Sequence, residues 1–396
     1  MNVLIIRTLG HLRKPLLYLA APLEARDREV LEQLHDSHAA LKRQSAVPKR
    51  WTGGLRRQMW SRSIKGSNTI EGYNVSDAQA LAIVNDLSLA ESQSLDVRAV
   101  TAYKHSMDFV LAQIDDSDFS WNTTVVKAMH HAMLAYDFDK RPGLYRTSAV
   151  YVLDEATGET VYEGADASRV ASAVTELVDG LVHNAESDPY VSAAMAHLNL
   201  VLIHPFLDGN GRMSRALQTL VLGRSRLADP EQLSIEEWLG SNTSDYYAAL
   251  QKTGRGKWAP HDDTLLWLRF NLRAHVIQVE SVKRDIKLAN DLWSNIEESL
   301  MAKQLSDRNA ESLQQVAYGL ELRRSDHMKM AEVDERTATR DFQALVQAGF
   351  LVLQGSTRGS FYTAGPVMAE MVAKHRHPSK RTVADPYPEL RSQLYA

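Results

Sequence analysis

The 396-residue chain contains no cysteine. That excludes a disulfide framework, thiolate zinc sites and a thiol nucleophile. It suits a cytoplasmic location, although exported proteins can lack cysteine too. Long apolar runs are missing as well. None approaches the roughly 20 residues that span a bilayer, so no membrane partner is expected. Neither sign of charge dominates, with 45 Lys and Arg against 49 Asp and Glu and a formal net charge of −4. A protein that binds polyanions over its whole surface would be more basic. Glycine and proline, at 20 and 12 residues, are too few for a collagen-like or low-complexity chain. No internal repeat of solenoid period is visible.

What remains is ordinary globular composition, 44% hydrophobic and 24% charged, which excludes disordered and coiled-coil classes. The length suggests two or three domains. Arg7, Arg13 and Lys14 precede a short apolar stretch, Pro15 to Ala21, and loosely mimic a signal peptide. The stretch is short for that role and Pro15 interrupts it, so it reads as a segment packed on the body.

Most of the chain has helical periodicity. Residues 26–43, 77–91 and 97–114 carry apolar positions at helical spacing, and Ser76-Asp77 marks a helix start. Residues 147–163 instead alternate and are rich in Val, Tyr and Thr, with Asp154, Gly158 and Glu159 at a turn. They read as a β-hairpin. Helix resumes at Ser168. Residues 190–203 are apolar on most faces, as a core helix is, and a second such run covers 216–222. Further helices are expected over 264–302 and a boundary near 302–308. Helices near 309–320, 325–331 and 335–347, then strands at 350–353 and 360–363, follow the pattern of a winged helix. The tail from Lys374, with Pro378, Pro386 and Pro388, reads as loosely ordered.

The break between the two core helices is His204-Pro205-Phe206-Leu207-Asp208-Gly209-Asn210-Gly211-Arg212-Met213-Ser214-Arg215. Pro205 disfavours helical geometry at His204, so one helix ends there. A new helix starts near Gly211. Between them a Gly-x-Gly turn can converge backbone N–H groups on one point, and such a nest at a helix N-terminus binds phosphates. Arg212 and Arg215 lie about one turn apart and reach the same side. Guanidinium matches phosphate oxygens in bidentate fashion. Asp208 offers a hard oxygen for Mg²⁺, and His204 is the base that titrates near neutrality. Base, metal carboxylate, anion nest and two arginines together suit nucleotide phosphoryl-group chemistry.

These residues resemble the signature of the Fic family, His-Pro-Phe-x-Asp/Asn-Gly-Asn-Gly-Arg-x-x-Arg, at every fixed position. The resemblance implies a protein adenylyltransferase. AMP would pass from ATP to a Ser, Thr or Tyr hydroxyl of a protein, itself included, with release of pyrophosphate. By the same resemblance His204 deprotonates the target hydroxyl and Phe206 anchors the loop. Asp208 holds Mg²⁺ between the α- and β-phosphates. Gly209, Asn210 and Gly211 cradle phosphate oxygens, Arg212 holds the β-phosphate and Arg215 the γ-phosphate. The phosphorylating Doc branch typically has Lys where this chain has Gly211, which favours AMP transfer. Gly143-Leu144-Tyr145-Arg146 and the hairpin after it resemble the family's flap, along which an unknown target protein would dock over about 147–163 by β-augmentation. The family often has proline where this chain reads Gly164-Ala165. Tyr246-Tyr247 resembles a segment near the adenine pocket, although aromatic residues at helical spacing are more often core.

Upstream, Ser67-Asn68-Thr69-Ile70-Glu71-Gly72 resembles the family's inhibitory motif, Ser/Thr-x-x-x-Glu-Gly/Asn. That resemblance implies that Glu71 pairs with Arg215 at rest and that Ser67 steadies the inhibitory helix. Arg215 cannot hold both Glu71 and a γ-phosphate. The expected fold is mainly α, a Fic-type helical core with a β-hairpin flap, plus a C-terminal winged helix-turn-helix domain. The divisions are 1–96 with the inhibitory motif, 97–275 as catalytic core, 276–306 as linking helices, 307–366 as the winged helix and 367–396 as tail. The expected recognition segment carries Arg336, Thr337, Thr339 and Arg340, with Arg358 on the wing. Basic and acidic residues balance over 320–364, six against six, which favours protein docking or assembly with a second copy over DNA. The rival reading is a DNA-binding transcriptional regulator whose core only senses nucleotide. His130-His131 and His375-x-His377 lack a third ligand at useful spacing and read as surface or core residues.

Overall fold

The computed structural model describes residues 16–45, 49–87, 94–153, 157–183, 187–260, 263–355, 359–375 and 383–396. Arg7, Arg13, Lys14, Pro15, Asp154, Arg358, His377 and Pro378 lie outside these residues, as does the side chain of His375. The chain is mainly helical. It begins with α1 (Ala25–Ser45), α2 (Thr52–Ile70), α3 (Asp77–Val84), α4 (Leu95–Asp115) and α5 (Thr123–Leu134). A hairpin follows, β1 (Tyr151–Leu153) and β2 (Thr160–Glu163), then α6 (Val170–His183), α7 (Pro189–Ile203) and α8 (Asn210–Arg224). Short α9 (Pro230–Leu233) and α10 (Glu236–Ser241) lead to α11 (Thr243–Gly254) and α12 (Leu265–Ala302). The C-terminal part holds α13 (Ala310–Ala317), α14 (Arg324–Met330), α15 (Glu335–Gln347), β3 (Leu351–Gln354), β4 (Phe361–Ala364), α16 (Pro366–His375) and α17 (Leu390–Tyr395).

Helix starts follow local chemistry. Ser76 and Gln79 form a reciprocal capping box on α3. Asn122 caps α5, and Asp188 caps α7 with Pro189 in its first turn. Helix α7 is buried almost all round and packs on α8, so these two helices form the centre of the core.

Three expectations change. Residues 264–302 are one helix, not several. Its 38 residues contain no Gly or Pro to break it and span about 57 Å at 1.5 Å per residue. The division expected at 275–276 falls inside it. Helix α3 ends at Val84, short of residue 91, and Asp86 beyond it has a left-handed φ of +53°. The tail, expected to be loose, folds back onto the core over residues 383–396. Leu390 and Leu394 are buried, Arg273 pairs with Asp385 at 2.8 Å, and the Tyr395 hydroxyl donates to Asp245 Oδ1 at 2.6 Å. Apolar anchors two turns apart or less outweigh the prolines and charges that suggested disorder.

The hairpin strands are shorter than the alternating sequence. Tyr151 pairs with Glu163 and Val152 with Tyr162, and the register shifts between Val152 and Leu153. In the C-terminal part β3 and β4 pair antiparallel from Leu351 with Ala364 to Gln354 with Phe361, and Leu322 bridges to Tyr362.

Helix α2 crosses α10 with backbone against backbone. A Cβ on Gly66 would meet the Glu236 carbonyl oxygen at 2.5 Å, and one on Gly240 would meet the Gly66 Cα at 2.6 Å. At the other end of α2, a Cβ on Gly54 would meet the Gln314 side chain at 2.1 Å, and Gln314 donates to the Trp51 carbonyl at 3.2 Å. One helix therefore joins the C-terminal part to the core.

Burial holds three core histidines neutral. It pushes His38 down to about 4 and His197 and His275 down to about 3. The unfolded chain protonates these rings near 6.5, the folded chain only far lower, so stability is lost as pH falls from about 6.5 toward 4. Buried Glu236, raised to about 7, opposes this in part. Thermal melting should drop steadily between pH 7 and pH 4.5, and His275→Gln should flatten that slope. A melting temperature independent of pH over this range would contradict the neutral buried imidazoles.

Candidate active site

The loop between α7 and α8 is held from both sides. His204 caps α7 in the left-handed region, φ +53°, which takes the chain out of the helix before Pro205. Arg146, itself buried, fixes this corner. Its Nε donates to the His204 carbonyl at 2.6 Å, its Nη2 to the carbonyls of Ile203 at 3.2 Å and Ala165, and its backbone N–H to the Pro205 carbonyl at 2.9 Å. The same Nη1 reaches the Ser148 carbonyl at 2.6 Å. One side chain thus ties both ends of the hairpin to the His204 corner.

Phe206 is fully buried and stacks on His130, centroids 3.7 Å apart and planes at 6°. His130 Nδ1 accepts the Gly143 N–H at 2.8 Å, so its Nε2 carries the proton and donates to the Asp208 carbonyl at 3.1 Å. Burial pushes this imidazole down to about 4. Asn210 closes the loop from within. Its Oδ1 accepts from the Phe206 N–H at 2.9 Å and its Nδ2 donates to the Phe206 carbonyl at 3.0 Å. The Asn210 side chain thus has a structural role, with one Nδ2 hydrogen left beyond these two bonds.

His204 Nδ1 lies 3.1 Å from the Val201 carbonyl oxygen. A carbonyl only accepts, so Nδ1 holds the proton and the Nε2 lone pair is the basic one. Burial lowers this imidazole to about 4, helped by the nearby Arg146 charge. Asp208 sits at the loop's outer edge. Its Oδ1 accepts from the Gly209 N–H at 2.6 Å and its Oδ2 lies 3.5 Å from Lys140 Nζ. Gly209, φ +76°, is the N-cap of α8, and no side chain caps that helix. Helix α8 starts at Asn210, one residue before the expected Gly211.

Arg212 and Arg215, near the start of α8, are both buried. Arg215 is fully engaged. Nε donates to Ser67 Oγ at 2.8 Å, and Nη2 donates to the Ser67 carbonyl at 2.9 Å and to Glu71 Oε1 at 2.8 Å. The Tyr246 hydroxyl lies 3.5 Å from Nη1. The carboxylate of Glu71 raises the Arg215 pKa against the opposing effect of burial. Gly211 makes this approach possible, since a Cβ there would meet Glu71 Oε1 at 2.3 Å. Arg212 differs: its Nε and Nη1 are buried without a hydrogen-bond partner among the described residues, and its guanidinium lies 4.8 Å from the Tyr73 ring centroid.

Residues 120–222 match the profile of the Fic/DOC family. The chain carries a Fic/DOC-family domain. Its sequence is 28% identical over 249 residues to protein adenylyltransferase fic-1 of Caenorhabditis briggsae, covering 60% of this chain and 45% of that one. It is 28% identical over 201 residues to protein adenylyltransferase Fic of Drosophila ananassae, covering 50% and 37%. The chain thus spans less than half the length of these curated relatives. The fold is similar to that of a Fic family protein from Desulfovibrio desulfuricans G20, with TM-score 0.55, 20% identity and coverage of 88% of this chain and 99% of that one. It is also similar to a Fic-1 structure (aa134–508) from C. elegans, with TM-score 0.51, 24% identity and coverage of 66% and 72%.

Tyr246 and Tyr247 part company. Tyr246 is buried among Trp267, Phe270 and His197, and its hydroxyl bonds His197 Nε2 at 2.9 Å. It braces Arg215 from below and presents no face to a nucleotide. Tyr247 is half exposed and donates to the Ile70 carbonyl at 3.0 Å. The hairpin rests on the body through β2, where the Glu163 N–H reaches the Gly256 carbonyl at 2.9 Å and the Trp258 N–H reaches the Glu163 carbonyl at 3.0 Å. Strand β1 faces away from those contacts with Tyr151 and Leu153 exposed.

Sequence reasoning missed His130, Tyr73 and Glu236. His130 was visible only as a paired histidine lacking ligands. Glu236 gave no signal at all, because it reaches the site from α10, where it accepts from the Tyr103 hydroxyl at 3.0 Å. His130→Ala should remove the stack under Phe206 and both loop hydrogen bonds, costing on the order of 2–4 kcal/mol of stability. Amide exchange at residues 206–209 should quicken in the same variant. Unchanged melting and exchange would show that the loop does not rest on His130.

Proposed function

We propose that this protein is a self-inhibited adenylyltransferase that moves AMP from ATP onto a Ser, Thr or Tyr hydroxyl of a protein, itself included. The observation that carries this is the His204 imidazole. It is neutral, has its tautomer fixed by Val201, and sits beside an uncapped helix N-terminus with two guanidinium groups in the next turn. In the reaction the hydroxyl oxygen bonds to the α-phosphorus and gives its proton to His204 Nε2. The bond from the α-phosphorus to the bridging oxygen breaks, and pyrophosphate leaves.

The first turn of α8 suits the phosphates, with backbone N–H groups at the helix start and arginines behind them. Asp208 fits the single-carboxylate manner in which Mg²⁺ is held with substrate phosphates, because one of its oxygens faces outward toward Lys140. Bound there, Mg²⁺ would neutralise phosphate charge. The exposed outer edge of β1 suits an extended target segment added as a strand. Glu71 occupies the Arg215 donor that a γ-phosphate would need. A regulator that only sensed nucleotide would need no base at residue 204, which favours the enzyme over that alternative. Residues 310–364, with three helices and a hairpin, are read as a winged-helix module that docks a protein or a second copy. The absence of cysteine keeps a cytoplasmic setting the natural one.

Glu71→Gly should raise self-modification at least about tenfold, as expected when a competing buried ion pair is removed, read as added AMP mass after incubation with ATP and Mg²⁺. His204→Ala should abolish it in either background. With His204 titrating near 4, the Glu71→Gly rate should not fall through protonation of this base between pH 8 and pH 5.5. No AMP addition by Glu71→Gly, to itself or to proteins of a host lysate, would overturn the transferase reading.

A further inference from the structure

The guanidinium groups of Arg212 and Arg215 are held in opposite ways, and one short turn holds both. Arg215 has three of its five N–H donors met by Ser67 and Glu71, and the Tyr246 hydroxyl lies 3.5 Å from Nη1. Arg212 is as deeply buried, yet Nε and Nη1 have no partner among the described residues. Its neighbour is a ring, that of Tyr73, with the guanidinium carbon 4.8 Å from the centroid. Tyr73 follows Glu71 by two residues, across Gly72, whose φ of +82° turns the chain. The ring is itself anchored. The Tyr73 N–H donates to the Asn68 carbonyl at 3.1 Å, its hydroxyl accepts from the Tyr136 hydroxyl at 3.1 Å, and the two rings meet edge to face at 6.5 Å.

An aromatic face attracts a cation but cannot accept the N–H groups in the guanidinium plane. Two donors of a buried cation thus stay unmet, which is costly in a protein interior. An oxyanion would satisfy them, and bidentate phosphate is the natural match. At rest the ring stands over the group that such an oxyanion would approach.

We propose that Tyr73 is a second stop on the nucleotide site, lying over Arg212 and keeping it from the β-phosphate of a nucleoside di- or triphosphate, as Glu71 keeps Arg215 from the γ-phosphate. This rests on the reading of residues 204–215 as a nucleotide site. The two stops act on different phosphates, so they separate experimentally. ADP has no γ-phosphate and does not call on Arg215. ADP therefore feels Tyr73 and not Glu71, whereas AMP transfer from ATP needs Glu71 to leave.

Calorimetric titration of ADP with Mg²⁺ into the full chain tests this. Tyr73→Ala should tighten ADP binding about tenfold, the scale set by losing one desolvated cation–π contact. Tyr73→Phe keeps the ring and should stay within about twofold of the unsubstituted chain, as should Glu71→Gly. Tyr73→Ala alone should not raise AMP transfer, because Glu71 still holds Arg215. If Tyr73→Ala melts early, Tyr73→Leu carries the same comparison with apolar bulk retained. ADP affinity unchanged or weakened in the ring-less variants overturns the proposal. Tightening as large in Tyr73→Phe as in Tyr73→Ala also overturns it, since the hydroxyl rather than the ring would then be the agent. No ADP binding by any variant, Glu71→Gly included, would instead overturn the nucleotide site itself.

Discussion

The buried cation of Arg215 is the constraint on which the rest of the architecture depends. A guanidinium taken out of water must have its donors met in the fixed directions of its plane. Ser67 supplies two acceptors from one residue of α2, Glu71 supplies a charge one turn later, and the Tyr246 hydroxyl closes the remaining side. Each of these groups has to arrive on its own element. Helix α2 must therefore pass close to α8, and it does so because Gly66 and Gly240 let its backbone touch α10. Gly211 leaves the space in which the Glu71 carboxylate sits. A side chain at any of these glycines would push α2 away from the cation.

The same helix gives the molecule its reach. At 19 residues α2 is about 28 Å long. Its first turn meets α13 through Gly54 and Trp51, with Arg57 paired to Glu311 at 2.6 Å, and its last residues meet Arg215. Along its middle Arg62 pairs with Glu237 at 3.0 Å and with Asp285 of α12. The C-terminal part and Arg215 thus sit at the two ends of one rigid rod. On the opposite side, Arg146 serves the His204 corner in the same manner, by gathering the carbonyls of residues 148, 165, 203 and 204 around a single guanidinium.

The legible part of this protein was contiguous. His204 to Arg215 lie in one stretch, so residue order alone placed a base, a carboxylate, a glycine turn and two arginines within reach of one another. The helix start at Ser76 was readable for the same reason, since a cap acts over three residues. Roles that depend on distant partners were not readable. The part Asn210 plays in closing the loop on Phe206 was not legible beside its expected phosphate contact. Tyr246 looked like an adenine contact until Trp267 and Phe270 covered it. The tail looked loose because its prolines and charges outnumber its apolar residues, yet Tyr387, Leu390 and Leu394 suffice to anchor it.

The sequence by itself determined the chemistry available at the loop, because the relevant side chains are neighbours in the chain and the helix geometry that joins them is local. Tertiary structure decided which of those side chains are free to act. His204 keeps its basic nitrogen because the Val201 carbonyl claims the other one. Arg215 is engaged and Arg212 only covered, because a turn from 140 residues upstream lies across both, at Glu71 and Tyr73. Hydrogen-bond donors have directions and must be met wherever they are buried. Which residues meet them is settled only when helices far apart in the chain are packed side by side.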